Sequence, residues 1–338
     1  MVTVVRQVGK NPEGSSAIAE AAEILRRGGL VAFPTETVYG LGANALDAAA
    51  VAEIFAAKQR PAWDPLIVHV DSWAMLERVA AEISPRARSL ARAFWPGPLT
   101  LLLPKHADLP SAVTAGRPLV GVRWPQHPAS LALIHAAGTP IAAPSANLFR
   151  HVSPTTAAHV LEDLDGRIDM VLDGGPTELG LESAVVDPNT EPPTLYRPGI
   201  LTIDQLSAVV GRMHLYTPPK KDNWPEALPS PGLDTRHYAP EAVVVLIDSA
   251  ESLLRTAALQ APGAKVGVLL PEDWPTPAGV AIFVWGAWQD AAALANNLYA
   301  GLRWLDEQGL DVILCPVPPH GAEFAALRDR LFKASQPE

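Results

Sequence analysis

The sequence predicts an α/β protein in two parts, a twisted mixed sheet followed by a smaller parallel α/β unit. Short apolar runs recur over residues 1–212 with helical signals between only some of them, which departs from strict strand–helix alternation. Residues 213–240 hold six prolines and no periodic apolar pattern, the composition of an extended, semi-stiff linker. Over residues 241–338 strand and helix signals alternate again, as they do in a parallel sheet.

Ser15 and Ser16 are candidate N-caps for a helix over about 17–27, which Gly28-Gly29 stops. Residues 30–33 read as a short buried strand. Asp47 caps a second helix over 48–58, whose Val51, Ile54 and Phe55 share one face. Residues 66–70 form a strand. Ser84-Pro85 opens a further helix, because proline fits a first turn, and Trp95-Pro96-Gly97-Pro98 closes it. Strands follow at 99–103, 119–123, 141–143, 170–172, 183–186 and 194–196. Past the linker come a strand at 243–247, a helix at 249–259 and strands at 266–270 and 282–284. A helix over about 288–305, a strand at 312–315 and a helix near 322–333 complete the second part.

Composition narrows the class. The chain has 338 residues, 48% hydrophobic and 18% charged, enough to bury a core in each of two domains. Its 34 prolines, about twice ordinary usage, suit short strands and loops. No apolar run reaches the ~18 residues of a membrane span, and the start, Met1-Val2-Thr3-Val4-Val5-Arg6, lacks the basic-then-apolar layout of a signal peptide. The single cysteine, Cys315, allows neither an internal disulfide nor a multi-cysteine metal site. A soluble cytoplasmic enzyme is the expectation. A net charge of −10 argues against a protein that holds nucleic acid mainly by electrostatics.

Few residues stand out for chemistry. Lys58-Gln59-Arg60 ends a predicted helix just before Pro61, where two cations can simply complement the helix dipole. Pro144-Ser145-Ala146-Asn147 follows a buried strand and alone is an ordinary serine or Asx turn. In company, two cations, a hydroxyl and an amide compose a phosphate cradle without a glycine-rich loop. Arg123 ends a strand, either as a surface residue or as a fork of donors for a small carboxylate. His69 lies between Val68 and Val70, the setting of a satisfied, half-buried histidine, and Arg197 runs into Pro198-Gly199 at another strand end. No P-loop, Gly-x-Ser-x-Gly elbow or His-Glu-x-x-His helix occurs. Gly40-x-Gly42-x-x-Ala45 matches a relaxed dinucleotide pattern, but Arg60 stands where that site needs a ribose-binding acid.

Taken together, four segments carry a resemblance: Phe33-Pro34-Thr35-Glu36-Thr37-Val38-Tyr39-Gly40-Leu41, Lys58-x-Arg60-Pro61, Pro65-Leu66-Ile67-Val68-His69 and Pro144-Ser145-Ala146-Asn147. In this order, over about residues 12–212, the chain resembles the YrdC-type L-threonylcarbamoyladenylate synthases. Ser230-Pro231-Gly232 and Arg236-His237-Tyr238-Ala239-Pro240 are similar to the segment that joins an extra C-terminal domain in their long, two-domain form. The resemblance implies a twisted α/β sheet over a concave basic cavity, with a Rossmann-like C-terminal domain. It implies that L-threonine, bicarbonate and ATP give threonylcarbamoyl-AMP and pyrophosphate. Partner proteins would then place the threonylcarbamoyl group on adenosine beside the anticodon of certain tRNAs.

Matched position by position, Lys58, Arg60, Ser145 and Asn147 would act catalytically at the phosphates. Asp64, Leu119, Ser153, Arg197, His237 and Tyr238 would join them in binding ATP. Thr37, His69, Arg123, Ala143 and Ser183 would hold L-threonine. Mg2+ would be held largely by the ATP phosphates, with no protein metal site. The linker, through His237 or Tyr238, would form a lid over the nucleotide. Asp64 replaces the family's usual asparagine, and residues 320–324 replace a glycine-rich stretch. Two other classes compete. A double-stranded RNA or ribosomal-RNA binder could use the same cavity, at odds with the acidic balance but leaving room for weak RNA contact. A carbamoyl-transfer domain of hydrogenase-maturation enzymes would need zinc-finger parts that one cysteine cannot supply.

Overall fold

The computed structural model describes residues 2–217, 227–259 and 263–337. Its first part runs β1 (Val4–Gln7), α1 (Ser16–Arg26), β2 (Val31–Phe33), β3 (Gly40–Asn44), α2 (Ala48–Lys58), β4 (Ile67–His69), α3 (Trp73–Leu76), α4 (Pro85–Phe94), β5 (Leu99–Pro104) and β6 (Leu119–Arg123). It continues through α5 (Pro128–Ala137), β7 (Ile141–Ala142), α6 (Ala157–Leu164), β8 (Met170–Asp173), β9 (Ala184–Asp187), β10 (Thr194–Arg197), α7 (Ile203–Val210) and β11 (His214–Leu215). The second part is β12 (Val243–Ile247), α8 (Ala250–Ala258), β13 (Val266–Pro271), β14 (Ala281–Gly286), α9 (Ala291–Asp306), β15 (Val312–Pro316) and α10 (Ala325–Ala334).

Eleven strands form one mixed sheet in the order β1-β8-β2-β3-β7-β4-β6-β5-β9-β10-β11. Pairs such as β4 with β6 are parallel, whereas β5 with β6 and β2 with β3 are antiparallel. The second sheet, β12-β15-β13-β14, is parallel throughout, which agrees with the predicted fold class. No helix among the described residues is long and apolar enough to cross a membrane.

Local chemistry explains the better-read helices. The Ser15 hydroxyl accepts from Ile18 N, the Asp47 carboxylate from Ala49 N and Ala50 N, and the Ser84 hydroxyl from Ala87 N. Each of these oxygens satisfies helix-start donors that have no partner within the helix. Helix α2 ends at Gln59, whose φ of 53° turns the chain sharply toward Arg60.

The short strand β3 escapes a sequence reading because Gly-Leu-Gly-Ala-Asn has no β-branched residue. Its glycines serve close packing: a Cβ at Gly42 would sit 2.8 Å from both Ile141 and Phe33 side-chain atoms. The relaxed dinucleotide pattern is therefore a sheet interior. Strand β11 was likewise hidden, at the front of the proline-rich stretch, yet it pairs in parallel with β10 at the sheet edge. Residues 218–226 of the expected linker lie outside the described residues. The part from 227 to 240 is no exposed joint, since Leu228, Ser230, Leu233, Asp234, His237 and Tyr238 are all buried.

Candidate active site

The strand ends of the large sheet build a cavity floor. His69 and Arg123 stand side by side in register at the C-terminal ends of β4 and β6. Arg123 Nη1 donates to Thr37 Oγ1 at 2.8 Å, and Nη2 lies 2.6 Å from Glu36 Oε1. Burial pushes the Glu36 carboxyl up, but the Arg123 charge and hydrogen bonding outweigh it and hold Glu36 below its ordinary value. His69 is pushed down to about 3 by burial and by the Arg123 charge, so its ring is neutral at any working pH. Its Nδ1 is buried without a partner among the described residues, although the ring lines the cavity.

One wall comes from β9 and β10. The Ser183 hydroxyl pairs with Thr100 Oγ1 at 2.8 Å. Arg197 Nε and Nη2 donate to the Ser183 carbonyl at 3.2 and 3.1 Å, and Nη1 to Pro231 O at 3.3 Å. Arg197 thus binds the sheet to the linker. Glu182, one residue before Ser183, accepts from the Ser153 hydroxyl at 2.6 Å, from Tyr299 at 2.9 Å and from Arg330 Nε at 2.8 Å.

The opposite wall holds the cations that end α2. Arg60 lines the cavity, with Nη2 donating to Pro65 O at 2.8 Å and reaching within 2.9 Å of Asp64 Oδ2. The direction of that ion pair is poor, and neither Asp64 oxygen makes a hydrogen bond among the described residues. Burial pushes the Asp64 carboxyl up to about 6 against the pull of Arg60. Lys58 is fully buried behind the wall, and its ammonium donates to the carbonyls of Ser145, at 2.6 Å, and Asn147. Burial, then repulsion from Arg60, drives the Lys58 ammonium well below its ordinary value.

The linker supplies the roof, where Pro231, Gly232, His237 and Tyr238 face the cavity. Gly232 has a φ of +76° and no room for more: a Cβ would lie 2.5 Å from the Tyr238 hydroxyl and 2.9 Å from Arg197 Nη1. His237 packs edge-on against Tyr238 and Phe149, and Arg330 lies 4.9 Å over the Tyr238 ring. Both His237 Nδ1 and the Tyr238 hydroxyl are buried without partners among the described residues.

Most of the expected site residues converge here. Thr37, Arg60, His69, Arg123, Ala143, Ser145, Ser183, Arg197, His237 and Tyr238 all line the cavity. Lys58, Asp64 and Asn147 sit directly behind it, and Ser153 reaches it only through Glu182. Leu119 does not belong with them. It begins β6, whose other end carries Arg123, and lines a separate surface hollow with Pro104 and Glu82. At ~3.3 Å per residue the strand itself keeps Leu119 far from the cavity. Glu36 and Glu182 were missed because an isolated acid in a loop has no pattern that separates it from a solvated one.

Comparison with known proteins agrees with this architecture. A family model described as telomere recombination, covering Sua5, YciO and YrdC proteins, matches residues 23–199. A second, the threonylcarbamoyl-AMP synthase C-terminal domain, matches residues 201–336. The threonylcarbamoyl-AMP synthase of Pyrococcus abyssi is 43% identical over 321 residues, 93% of each chain. The chain belongs to the two-domain threonylcarbamoyl-AMP synthases. The Bacillus subtilis synthase is also 43% identical, over 94% of this chain and 92% of that one. Crystalline P. abyssi Sua5, complexed with L-threonine, superposes with a TM-score of 0.90 at 41% identity over 98% of both chains. Threonylcarbamoyl-AMP synthases use ATP and serve threonylcarbamoyladenosine modification of tRNA, and that is the activity of this synthase.

Proposed function

We propose that the cavity condenses L-threonine, bicarbonate and ATP into threonylcarbamoyl-AMP with loss of pyrophosphate. Residues 1–212 would be the catalytic part, 213–240 a linker and lid, and 241–338 a C-terminal Rossmann-like domain. The observation that carries this reading is the convergence of three arginines, Arg60, Arg123 and Arg197, with the neutral His69 and several hydroxyls in one cavity. Such a set suits two anions and a neutral hydroxyl-bearing side chain. It offers no activated nucleophile: the one cysteine, Cys315, is buried in the second sheet with its thiol pushed up.

None is needed. The threonine amine adds to bicarbonate with loss of water to give a carbamate, whose oxygen must meet the α-phosphorus in line with departing pyrophosphate. Catalysis is then positioning and charge stabilisation. Arg123, braced by Glu36 and Thr37, would take the threonine carboxylate, with His69, Ser183 and the Ala143 backbone around the remaining polar atoms. Arg60, Ser145 and Asn147 would face the phosphates, and Lys58 would exchange its carbonyl partners for phosphate oxygens. Arg197, Ser153, His237 and Tyr238 would contact or frame the nucleotide under the linker. No group of three His, Cys, Asp or Glu side chains able to hold a metal occurs among the described residues. Glu36 and Glu182 are engaged by arginines, and Mg2+ would arrive as part of the ATP substrate. The intermediate would pass to tRNA-modifying partners.

The test incubates pure protein with labelled bicarbonate, L-threonine, ATP and Mg2+. Threonine-dependent pyrophosphate release with a labelled adenylate is the expected result. Lys58→Ala and Arg60→Ala should each lower turnover at least tenfold, a loss of at least ~1.4 kcal/mol of transition-state stabilisation. Near-normal pyrophosphate release from the double variant would remove the phosphate role.

A further inference from the structure

The loop that holds Lys58 is itself held from the other domain. The Asn147 amide donates to Leu148 O at 2.7 Å and to His151 O at 2.9 Å, which folds residues 147–151 into a tight knot. Phe149 N donates back to the Lys58 carbonyl at 2.9 Å, so the loop grips Lys58 at both its backbone and its ammonium. Asp163, at the end of α6, ties the knot from outside: one oxygen accepts from Leu148 N at 3.3 Å and the other pairs with His151 Nδ1 at 3.1 Å. None of these residues lines the active-site cavity.

Arg303 completes them. It lies on α9, in the second part of the chain, and is buried. Its Nη2 donates to Asp163 Oδ2 at 2.8 Å and to the Val152 carbonyl at 2.5 Å, and Nη1 to Glu162 Oε2 at 2.7 Å. The planar fork therefore fixes the far end of the loop and the carboxylate that orders its near end, in a geometry an ammonium cannot copy. We infer that Arg303 is a positioning residue for the Lys58 side of the active site, acting through Asp163 and the loop 147–152. Its influence crosses the domain interface without any contact to substrate. The inference rests on the proposed role of Lys58 and Asn147 at the ATP phosphates.

Glu162 supplies the control, because it shares the ion pair across the interface but makes no hydrogen bond to the loop among the described residues. Its side chain is 39% exposed, so its loss costs little. In steady-state assays with the full chain, Arg303→Lys should raise the ATP KM at least fivefold and lower kcat, with the threonine KM within twofold of the original. Asp163→Asn, which keeps the shape and an acceptor, should fall between Arg303→Lys and the original, and Glu162→Gln should leave both KM values within twofold. Combining Arg303→Lys with Lys58→Ala should cost less than the product of the single effects, because both disturb one unit. An Arg303→Lys protein with a lowered melting temperature but an unchanged ATP KM overturns the inference, as does an ATP effect matched by Glu162→Gln. Lys58→Ala measured alongside separates the failures. A normal ATP KM in that variant removes the phosphate role of Lys58 and this inference with it. A raised one beside a normal Arg303→Lys overturns the inference alone.

Discussion

At the scale of single residues, the cavity holds cations answered partly by carboxylates and partly by backbone carbonyls. Arg123 spends one donor on Thr37 and lies against Glu36, yet keeps donors for a substrate carboxylate. Replacing it by lysine retains the charge and loses the fork. Arg123→Lys should raise the threonine KM more than tenfold and the ATP KM less than twofold, and equal changes in the two would rule out a carboxylate clamp. Asp64 makes a different prediction. Its carboxyl ionises near 3.8 when unfolded and is pushed up to about 6 in the fold, so the folded state holds that proton more tightly. The stabilisation this provides is complete below about pH 4 and lost as pH rises through about 6. Asp64→Asn removes the dependence. Urea unfolding at pH 4.5 and 7 should show the variant gaining ~1–3 kcal/mol on the original protein between the two conditions, and parallel curves would contradict it. The sequence displayed Lys58, Arg60, Arg123 and His69 plainly, because family motifs and strand ends mark them. It did not display Glu36 or Glu182, whose importance lies in arginines brought from 87 and 148 positions away.

At the scale of elements, caps were the most legible feature. Asp47 and Ser84-Pro85 announce α2 and α4, since a helix start needs an oxygen at one defined place. Helix α5 was invisible for the opposite reason. Its run of Ala, Leu and Ile is buried nearly all round, so it shows no polar face to count against. The linker was half legible: its prolines signalled extended chain, but nothing in them showed that residues 227–240 would be buried as a roof. That roof hinges on Gly232, where φ is +76° and the space for a Cβ is taken by Tyr238 and Arg197. Gly232→Ala should raise the ATP KM severalfold and expose the segment to limited proteolysis, while circular dichroism stays unchanged. ATP with threonine should protect the original linker from the same protease. Identical cleavage of both proteins, with and without ligands, would reduce the segment to a tether.

At the scale of the whole molecule, the two sheets meet around a buried carboxylate. Glu182 belongs to the large-sheet part, but Tyr299 and Arg330, two of its partners, come from α9 and α10. Burial pushes Glu182 up, and Arg330 with Arg197 more than reverses it. Breaking such a pair from one side leaves an uncompensated charge, which costs ~3–5 kcal/mol. Arg330→Met should lower unfolding stability by about that amount, and adding Glu182→Gln should restore part of it; no recovery in the double variant would mean the carboxylate is not what Arg330 answers. The same feature bears on how the protein is made. Synthesis delivers the large-sheet part to the folding environment first. Until α10 emerges, Glu182 has no cation from that helix, and Gly232 of the roof lacks the Lys333 ammonium that holds its carbonyl at 2.8 Å. A nascent chain therefore lacks two of the contacts that join the roof and the large sheet to the second part until its end is made. The roof is fastened only when the last helix described here docks, so a ribosome stalled before α10 holds a chain whose linker has no Lys333 to close it.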